Sequence, residues 1–128
     1  MTATLLSLPL PAPKKEASSQ DHKHWGQLQG SSAALCISQA LSQYKGPIVL
    51  ITADTPSAMK LEKEIAFFLS DNTKHTPITL FPDWETLPYD SFSPHQDIVS
   101  QRLETLFRFT QQGEGIFIVP VNTLMQRL

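Results

Sequence analysis

Along residues 34–44, apolar residues recur at spacings of three and four, at Ala34, Ile37, Leu41 and Tyr44. This period places them on one face of a helix. Ser31 or Ser32 is available to cap the start of that helix, and Gly46 to stop it. The pattern therefore predicts an amphipathic helix that begins shortly after Gly30.

The next segment lacks the helical period of apolar residues, and the segment after it shows that period again. Pro47–Thr52 is an apolar run rich in β-branched residues without alternation, which predicts a buried strand of a parallel sheet. Asp54 or Thr55 can then cap a second helix, with Pro56 in its first turn. The helical spacing that follows is carried by Ala58, Leu61, Ile65 and Phe68.

The same alternation continues to the end of the sequence. Strands are predicted at 77–81 and 115–121, and Asn122 is predicted to cap a fourth helix that is unfinished at Leu128. Between the strands lies a third helix ending near Gly113, marked by Val99, Leu103 and Leu106. We therefore expect an α/β fold with a mainly parallel sheet flanked by helices and joined by right-handed crossovers. The residues expected to face its core are Ile37, Leu50, Ile65, Leu103 and Ile118.

Composition limits the class of protein. A chain of 128 residues with 41% hydrophobic content suffices for one core, and its net charge of −2 gives no general attraction for phosphate. From Pro9 to His24 the composition shifts to Pro, Lys, Ser, Gln and His, which predicts a flexible leader at 1–24 before a domain at 25–128. A single cysteine, Cys36, and the lack of a membrane span or signal peptide favour the cytoplasm. The unfinished last helix suggests a piece of a longer protein.

One segment resembles a phosphate-binding loop but lacks its chemistry. The turn before the first helix reads Gly30, Ser31, Ser32, Ala33, Ala34. A working loop has a lysine where Ala33 stands and a magnesium-binding hydroxyl where Ala34 stands. We expect no nucleotide or other cofactor here, and the simpler interpretation is a helix-capping turn. Asp54 after the apolar strand is better explained as a helix cap than as a magnesium ligand, and no catalytic or metal-binding set is predicted.

The most distinctive segment is 81–97, in which Trp84, Tyr89 and Phe92 lie among three prolines. Prolines reduce the entropy that a loop loses when it is held in one shape. Such a loop can stack on bases or fill a pocket of a partner protein. Alternatively its aromatic residues cover the open edge of the sheet. The candidate interaction residues are Trp84, Tyr89, Phe92, His95 and Arg102.

With this loop, residues 98–106 and 118–127 complete a pattern that resembles the N-terminal region of bacterial transcription-repair coupling factors. The resemblance runs from about Trp25 to Leu128 and is weak before Trp25. In that family this region is similar to the excision-repair helicase UvrB, and begins with a RecA-like, P-loop-like subdomain whose phosphate loop has lost its lysine. Ala33 and Ala34 match that departure.

The resemblance implies an ATP-dependent DNA translocase that displaces stalled RNA polymerase and recruits UvrA for nucleotide excision repair. The motor, polymerase-binding and principal UvrA-binding surfaces belong to later domains, and DNA is bound through the motor. The expected function of this chain is therefore a non-catalytic scaffold that contacts neighbouring domains. Two alternatives remain: a fragment of an active helicase, or a DNA-binding module that uses the aromatic loop with Arg102 or Arg108.

Overall fold

A computed structural model describes residues 24–44, 46–69, 76–83, 96–111 and 113–126. Within these ranges four helices alternate with three strands. The helices are α1 (Ser32–Gln43), α2 (Thr55–Leu69), α3 (Gln96–Gln111) and α4 (Val121–Leu124). The strands are β1 (Pro47–Thr52), β2 (Ile78–Leu80) and β3 (Gly115–Pro120). The predicted α/β fold is confirmed.

The three strands form one parallel sheet in the order β1, β3, β2. Val49 of β1 and Thr79 of β2 both stand opposite Phe117 of β3. The sheet is extended slightly beyond β2 because the N–H of Phe81 donates to the carbonyl of Ile118 at 2.8 Å. The last strand in sequence therefore lies in the centre, and all six of its residues are buried.

One face of the sheet is covered by α1 and α2. Ile116 and Ile118 of β3 are fully buried there against Ile65 of α2 and two close-packed alanines, Ala34 and Ala58. Alanine at both helix positions removes side-chain bulk, which allows α1 and α2 to approach the sheet and each other closely. The first two predicted helices are confirmed, together with the inward position of Ile65 and Ile118.

The other face of the sheet is covered only in part. The prediction that β1 is buried on both sides is therefore wrong. Ile48 and Leu50 are half-buried, but Val49 is 47% exposed and Ile51 is 61% exposed. Side chains alternate across a strand, so these two residues lie on the face opposite the core, beside Phe117 and Val119. The apolar run was correct for a parallel strand, but β1 is an edge strand of the described sheet.

The roles predicted for two residues, one in α3 and one in α4, also require correction. The predicted inward residue Leu103 is 56% exposed, because α3 turns Arg102 and Thr105 inward instead. Asn122 does not cap α4, since the helix begins after Pro120 and Asn122 lies inside it. Its side chain binds Asp83 instead of the helix backbone.

The start of α2 follows the prediction closely. The N–H of Ser57 donates to Asp54 Oδ1 at 2.7 Å, which satisfies one of the free amide groups at the helix start. Hydrogen bonds from Ser57 also hold the pKa of the Asp54 carboxyl below its usual value. Asp54 is thus a helix cap, as expected from its position after β1.

Candidate functional site

The segment that resembles a phosphate loop forms a turn at the start of α1. No strand occurs in residues 24–31, whereas a phosphate-binding loop connects a strand to its helix. Gly30 has a φ of 58°, a left-handed conformation that glycine adopts without strain. Ser32 Oγ donates to the carbonyl of Gln29 at 2.7 Å and closes the turn.

Ser31 does not act as the side-chain cap of α1, because its hydroxyl is used elsewhere. Ser31 Oγ donates to Glu64 Oε1 of α2 at 2.9 Å. Lys60 stands 3.9 Å from the same carboxylate oxygen. A carboxylate of the protein itself therefore lies at the helix start, where a phosphate-binding loop would receive an anion.

Polar side chains meet at the carboxyl ends of the strands, the edge where open parallel sheets bind ligands. Asp83, just after β2, is at their centre. Its Oδ2 accepts a hydrogen bond from Asn122 Nδ2 at 3.2 Å and a longer one from Thr55 Oγ1 at 3.4 Å. These contacts join the segments that follow all three strands.

Arg102 connects α3 to the same edge. It is only 2% exposed, and its Nη1 donates to the carbonyl of Pro82 at 2.8 Å. The guanidinium lies 4.7 Å from the centre of the Phe81 ring, within the range of a cation–π contact. Burial lowers the pKa of Arg102, and the carboxylate of Asp83 opposes that shift. Arg102 remains charged because its ordinary pKa lies far above neutral pH.

Beside Arg102 the partly covered sheet face opens into a groove of about 300 Å³. We call it the α3 groove. It lies between β1 and β3 on one side and α3 and α4 on the other, and its lining is mostly apolar. Its lining includes Val49, Phe109, Phe117, Val119, Thr123 and Leu124. Phe109 and Phe117 meet edge to face with ring centres 4.9 Å apart, which fixes the floor of the groove.

The structure describes only one of the predicted interaction residues. Trp84, Tyr89, Phe92 and His95 lie outside the described residues, so their role stays a prediction. Arg102 is described, and its guanidinium is held inside the protein by Phe81 and Pro82. Direct contact with a partner would require Arg102 to leave those groups. Arg108 is exposed and paired with Glu104 at 2.6 Å.

Neither the α3 groove nor the central role of Asp83 was predicted from the sequence. One signal was available, because positions 102, 105, 106 and 109 have helical spacing and define the inward side of α3. Counting Arg102 and Thr105 as polar hid that side. No comparable signal marks Asp83, since its partners are distant in sequence.

Two further properties concern the described ranges alone. Their acidic, histidine and cysteine side chains form no group of three that could hold a metal ion. No helix among them has the length and apolar character needed to cross a membrane.

The fold defines a small α/β domain built on a parallel sheet, and comparison with known proteins identifies its relatives. The chain is 45% identical over 108 residues to the transcription-repair-coupling factor of Haemophilus influenzae, a match covering 84% of this chain and 9% of that protein. It is 46% identical over 103 residues to the Escherichia coli factor, covering 80% and 8%. The Mycobacterium tuberculosis factor is 31% identical over 103 residues, covering 75% and 8%.

These matches show that the chain belongs to the transcription-repair-coupling factor family. It spans less than a tenth of the length of the relatives it matches, 9% and 8% in the first two. No family model matches the sequence.

Proposed function

We propose that this chain is a non-catalytic scaffold domain of a transcription-repair coupling factor, organised as the UvrB-like subdomain at 25–128 preceded by a leader at 1–24. The observation that carries the proposal is the contrast between the two faces of one sheet. The α1 and α2 face carries the buried core, whereas the opposite face leaves the apolar α3 groove open. We infer that the open face receives a neighbouring part of the longer protein.

Burial of the open face would yield a useful free energy of docking. Exposed apolar area contributes roughly 25 cal/mol per Å² when it is removed from water. Three large apolar residues that line the groove stand exposed, namely Val49 of β1, Phe109 of α3 and Leu124 of α4. A scattered apolar side chain needs no explanation, but several around one groove are typical of an interaction surface.

A pair of matched variants tests this role in the full-length factor. Leu124 lines the groove and is 52% exposed, while Met59 on α2 is 50% exposed and lies outside the groove lining. We expect Leu124→Asp to loosen the neighbouring domain and expose the junction to limited proteolysis, because a charge would enter an apolar interface. Met59→Asp should leave the digestion pattern unchanged. Equal effects of the two variants would reject the groove as the docking surface.

We further propose that the domain is inactive toward nucleotide. Ala33 and Ala34 lack the phosphate-binding groups, and the Glu64 carboxylate lies beside the turn that would hold the phosphates. Each missing charge-assisted hydrogen bond is worth roughly 1.5 to 3 kcal/mol. Calorimetric titration of the chain with ATP and magnesium should show no affinity tighter than millimolar. Micromolar binding would restore the helicase alternative.

Recruitment of UvrA and displacement of RNA polymerase are proposed for the longer protein, through later domains, with DNA bound by its motor. The chain alone should bind immobilised UvrA weakly or not at all, whereas a version extended through the following module should bind measurably. A difference of about 1.4 kcal/mol is tenfold in affinity, so partial loss of the surface would be visible. Equal affinity would move UvrA recognition into this domain, with the Trp84 to Phe92 loop as the first candidate.

A further inference from the structure

We propose that the free edge of β1 is an interaction surface that accepts one further parallel strand, supplied by the part of the longer protein that follows residue 128. The proposal rests on the scaffold function above and goes further, because it names the element that docks, its direction and the backbone groups that bind it. It follows from the composition of β1, the direction of its backbone groups and the path of the chain through the sheet.

β1 lies at one end of the described sheet, and its composition does not protect it against pairing. The strand Pro47–Thr52 holds no charged residue, and residues 48–51 are all apolar. Natural edge strands are commonly protected by charges, by bulges or by being very short, whereas a long apolar edge is a site of aggregation. β2, at the other end, has only three residues. A cover over the edge of β1 would remove this hazard.

Hydrogen bonds of the central strand show how its backbone groups are directed. The N–H of Ile116 donates to the carbonyl of Pro77 at 2.9 Å, and the carbonyl of Ile118 accepts from the N–H of Phe81 at 2.8 Å. The backbone groups of Ile116 and Ile118 therefore point toward β2. Successive residues of a strand point their backbone groups to opposite sides, so those of Phe117 point toward β1.

The register then shows which groups of β1 reach the free edge. Phe117 stands opposite Val49. In a parallel pair such a residue bonds to the two neighbours of its partner, here Ile48 and Leu50. Val49 and Ile51 therefore turn their N–H and C=O groups away from β3. Their side chains are also the exposed ones of β1, so a strand paired there would supply hydrogen bonds and apolar cover together.

The two described crossovers have the same hand. From β1 the chain passes β3 to reach β2 through α2, on the face that carries the buried core. From β2 it returns to β3 through α3, on the face of the α3 groove. Both the direction and the face are reversed, which leaves the hand unchanged. Crossovers between parallel strands share one hand, the right-handed one, in about 98% of cases.

The position of α4 selects the end of the sheet at which the next strand lies. Thr123 and Leu124 line the α3 groove, so α4 is on the same face as α3. A crossover of the same hand on this face continues in the direction from β2 to β3, and the next free place is beside β1. A parallel crossover needs about a dozen residues or more, so we assign this strand to the chain after residue 128.

Residue-resolved hydrogen–deuterium exchange tests the added strand through its backbone bonds. In the 128-residue chain, the amides of Val49 and Ile51 should exchange at least about tenfold faster than that of Leu50, which donates to β3. Tenfold corresponds to about 1.4 kcal/mol, the scale of one backbone hydrogen bond. In the full-length factor this difference should disappear, because all three amides would then be bonded. A difference that persists in the full-length factor would overturn the proposal.

Photo-cross-linking identifies the segment that occupies the edge. A photoreactive amino acid would replace Ile51 in the full-length factor, with Met59 of α2 as the control position at similar exposure. We expect position 51, but not position 59, to be joined to a segment after residue 128 of the same molecule. A product with a second molecule, or with a segment before β1, would overturn the assignment.

Failure of this proposal is distinguishable from failure of the scaffold function. The comparison of Leu124→Asp with Met59→Asp depends on side chains that cover the groove, not on hydrogen bonds at the edge of β1. A loosened junction in Leu124→Asp, together with fast exchange at Val49 and Ile51 in the full-length factor, would overturn the added strand and retain the docking surface.

Discussion

The two faces of the sheet are built from the same strands but are covered to different extents. Alternate residues of β3 point to opposite sides: Ile116 and Ile118 join a closed core, whereas Phe117 and Val119 form the floor of the α3 groove. The closed face stabilises the domain by itself. The open face presents apolar area that contributes more when another segment covers it. The difference separates residues that maintain the fold from residues that serve the proposed interaction.

The largest effect on folding should come from the closed face. Ile118→Ala removes a fully buried side chain in the central strand and should lower the free energy of unfolding by about 2 to 5 kcal/mol. Urea denaturation measures this, with exposed Lys63→Ala as a control expected within about 0.5 kcal/mol. Similar urea midpoints for both variants would show that the described core is wrong.

Arg102 lines the α3 groove but is buried, so its replacement should give an intermediate effect. Arg102→Met keeps much of the apolar stem but leaves the Pro82 carbonyl and the Asp83 carboxylate without their cation. We expect a loss of roughly 1 to 3 kcal/mol, the cost of a buried polar group that loses its partner. Arg108→Met, at an exposed ion pair, should change the urea midpoint much less. The reverse order would contradict the buried position of Arg102.

The open face should matter little for the stability of the chain alone. Val49→Ala removes apolar atoms from a side chain that is already half exposed, so we expect a loss of about 1 kcal/mol or less in urea denaturation. The same substitution in the full-length factor should cost more, because docking would bury Val49. Equal losses in the two proteins would mean that the face stays uncovered.

The smallest effect concerns the Asp54 cap and depends on pH. Its folded pKa is lowered by hydrogen bonds from Ser57, so its contribution is present above the unfolded pKa of about 3.9 and is lost as the pH falls through the folded value. Asp54→Asn keeps an acceptor at the helix start without a titrating group. Relative to Asp54→Asn, the parent chain should therefore lose stability as the pH falls below about 5 and through the lowered folded pKa. A difference in urea midpoint between the parent chain and Asp54→Asn that stays constant as the pH falls would contradict this prediction.

Local sequence signals predicted the order of helices and strands but not how far each face of the sheet is covered. The spacing of Ala58, Leu61 and Ile65 is enough to predict α2, and Asp54 is enough to predict its start, because both signals are local. Whether β1 is covered on its second face depends on where α3 lies, which is a tertiary property. Leu103 was misplaced because the buried polar side of α3 is stabilised by distant groups, Phe81 and Pro82.

The candidate site shows the same division. The loss of phosphate-binding groups at Ala33 and Ala34 is visible in the sequence, since that chemistry depends on residue type at fixed spacing. The contact between Ser31 and Glu64 joins residues 33 positions apart. The contacts of Asp83 with Asn122 and Thr55 join residues 39 and 28 positions apart. No periodic pattern marks any of these pairs. Only the fold brings these groups together.

Hydrogen–deuterium exchange tests most directly the claim that the open face is a docking surface. Amide exchange would be followed in the 128-residue chain and in the full-length factor under the same conditions. We expect slower exchange of β1 and α3 in the full-length protein, with little change in α1 and α2, because only the open face gains a cover. Equal exchange of β1 and α3 in the two proteins would contradict it.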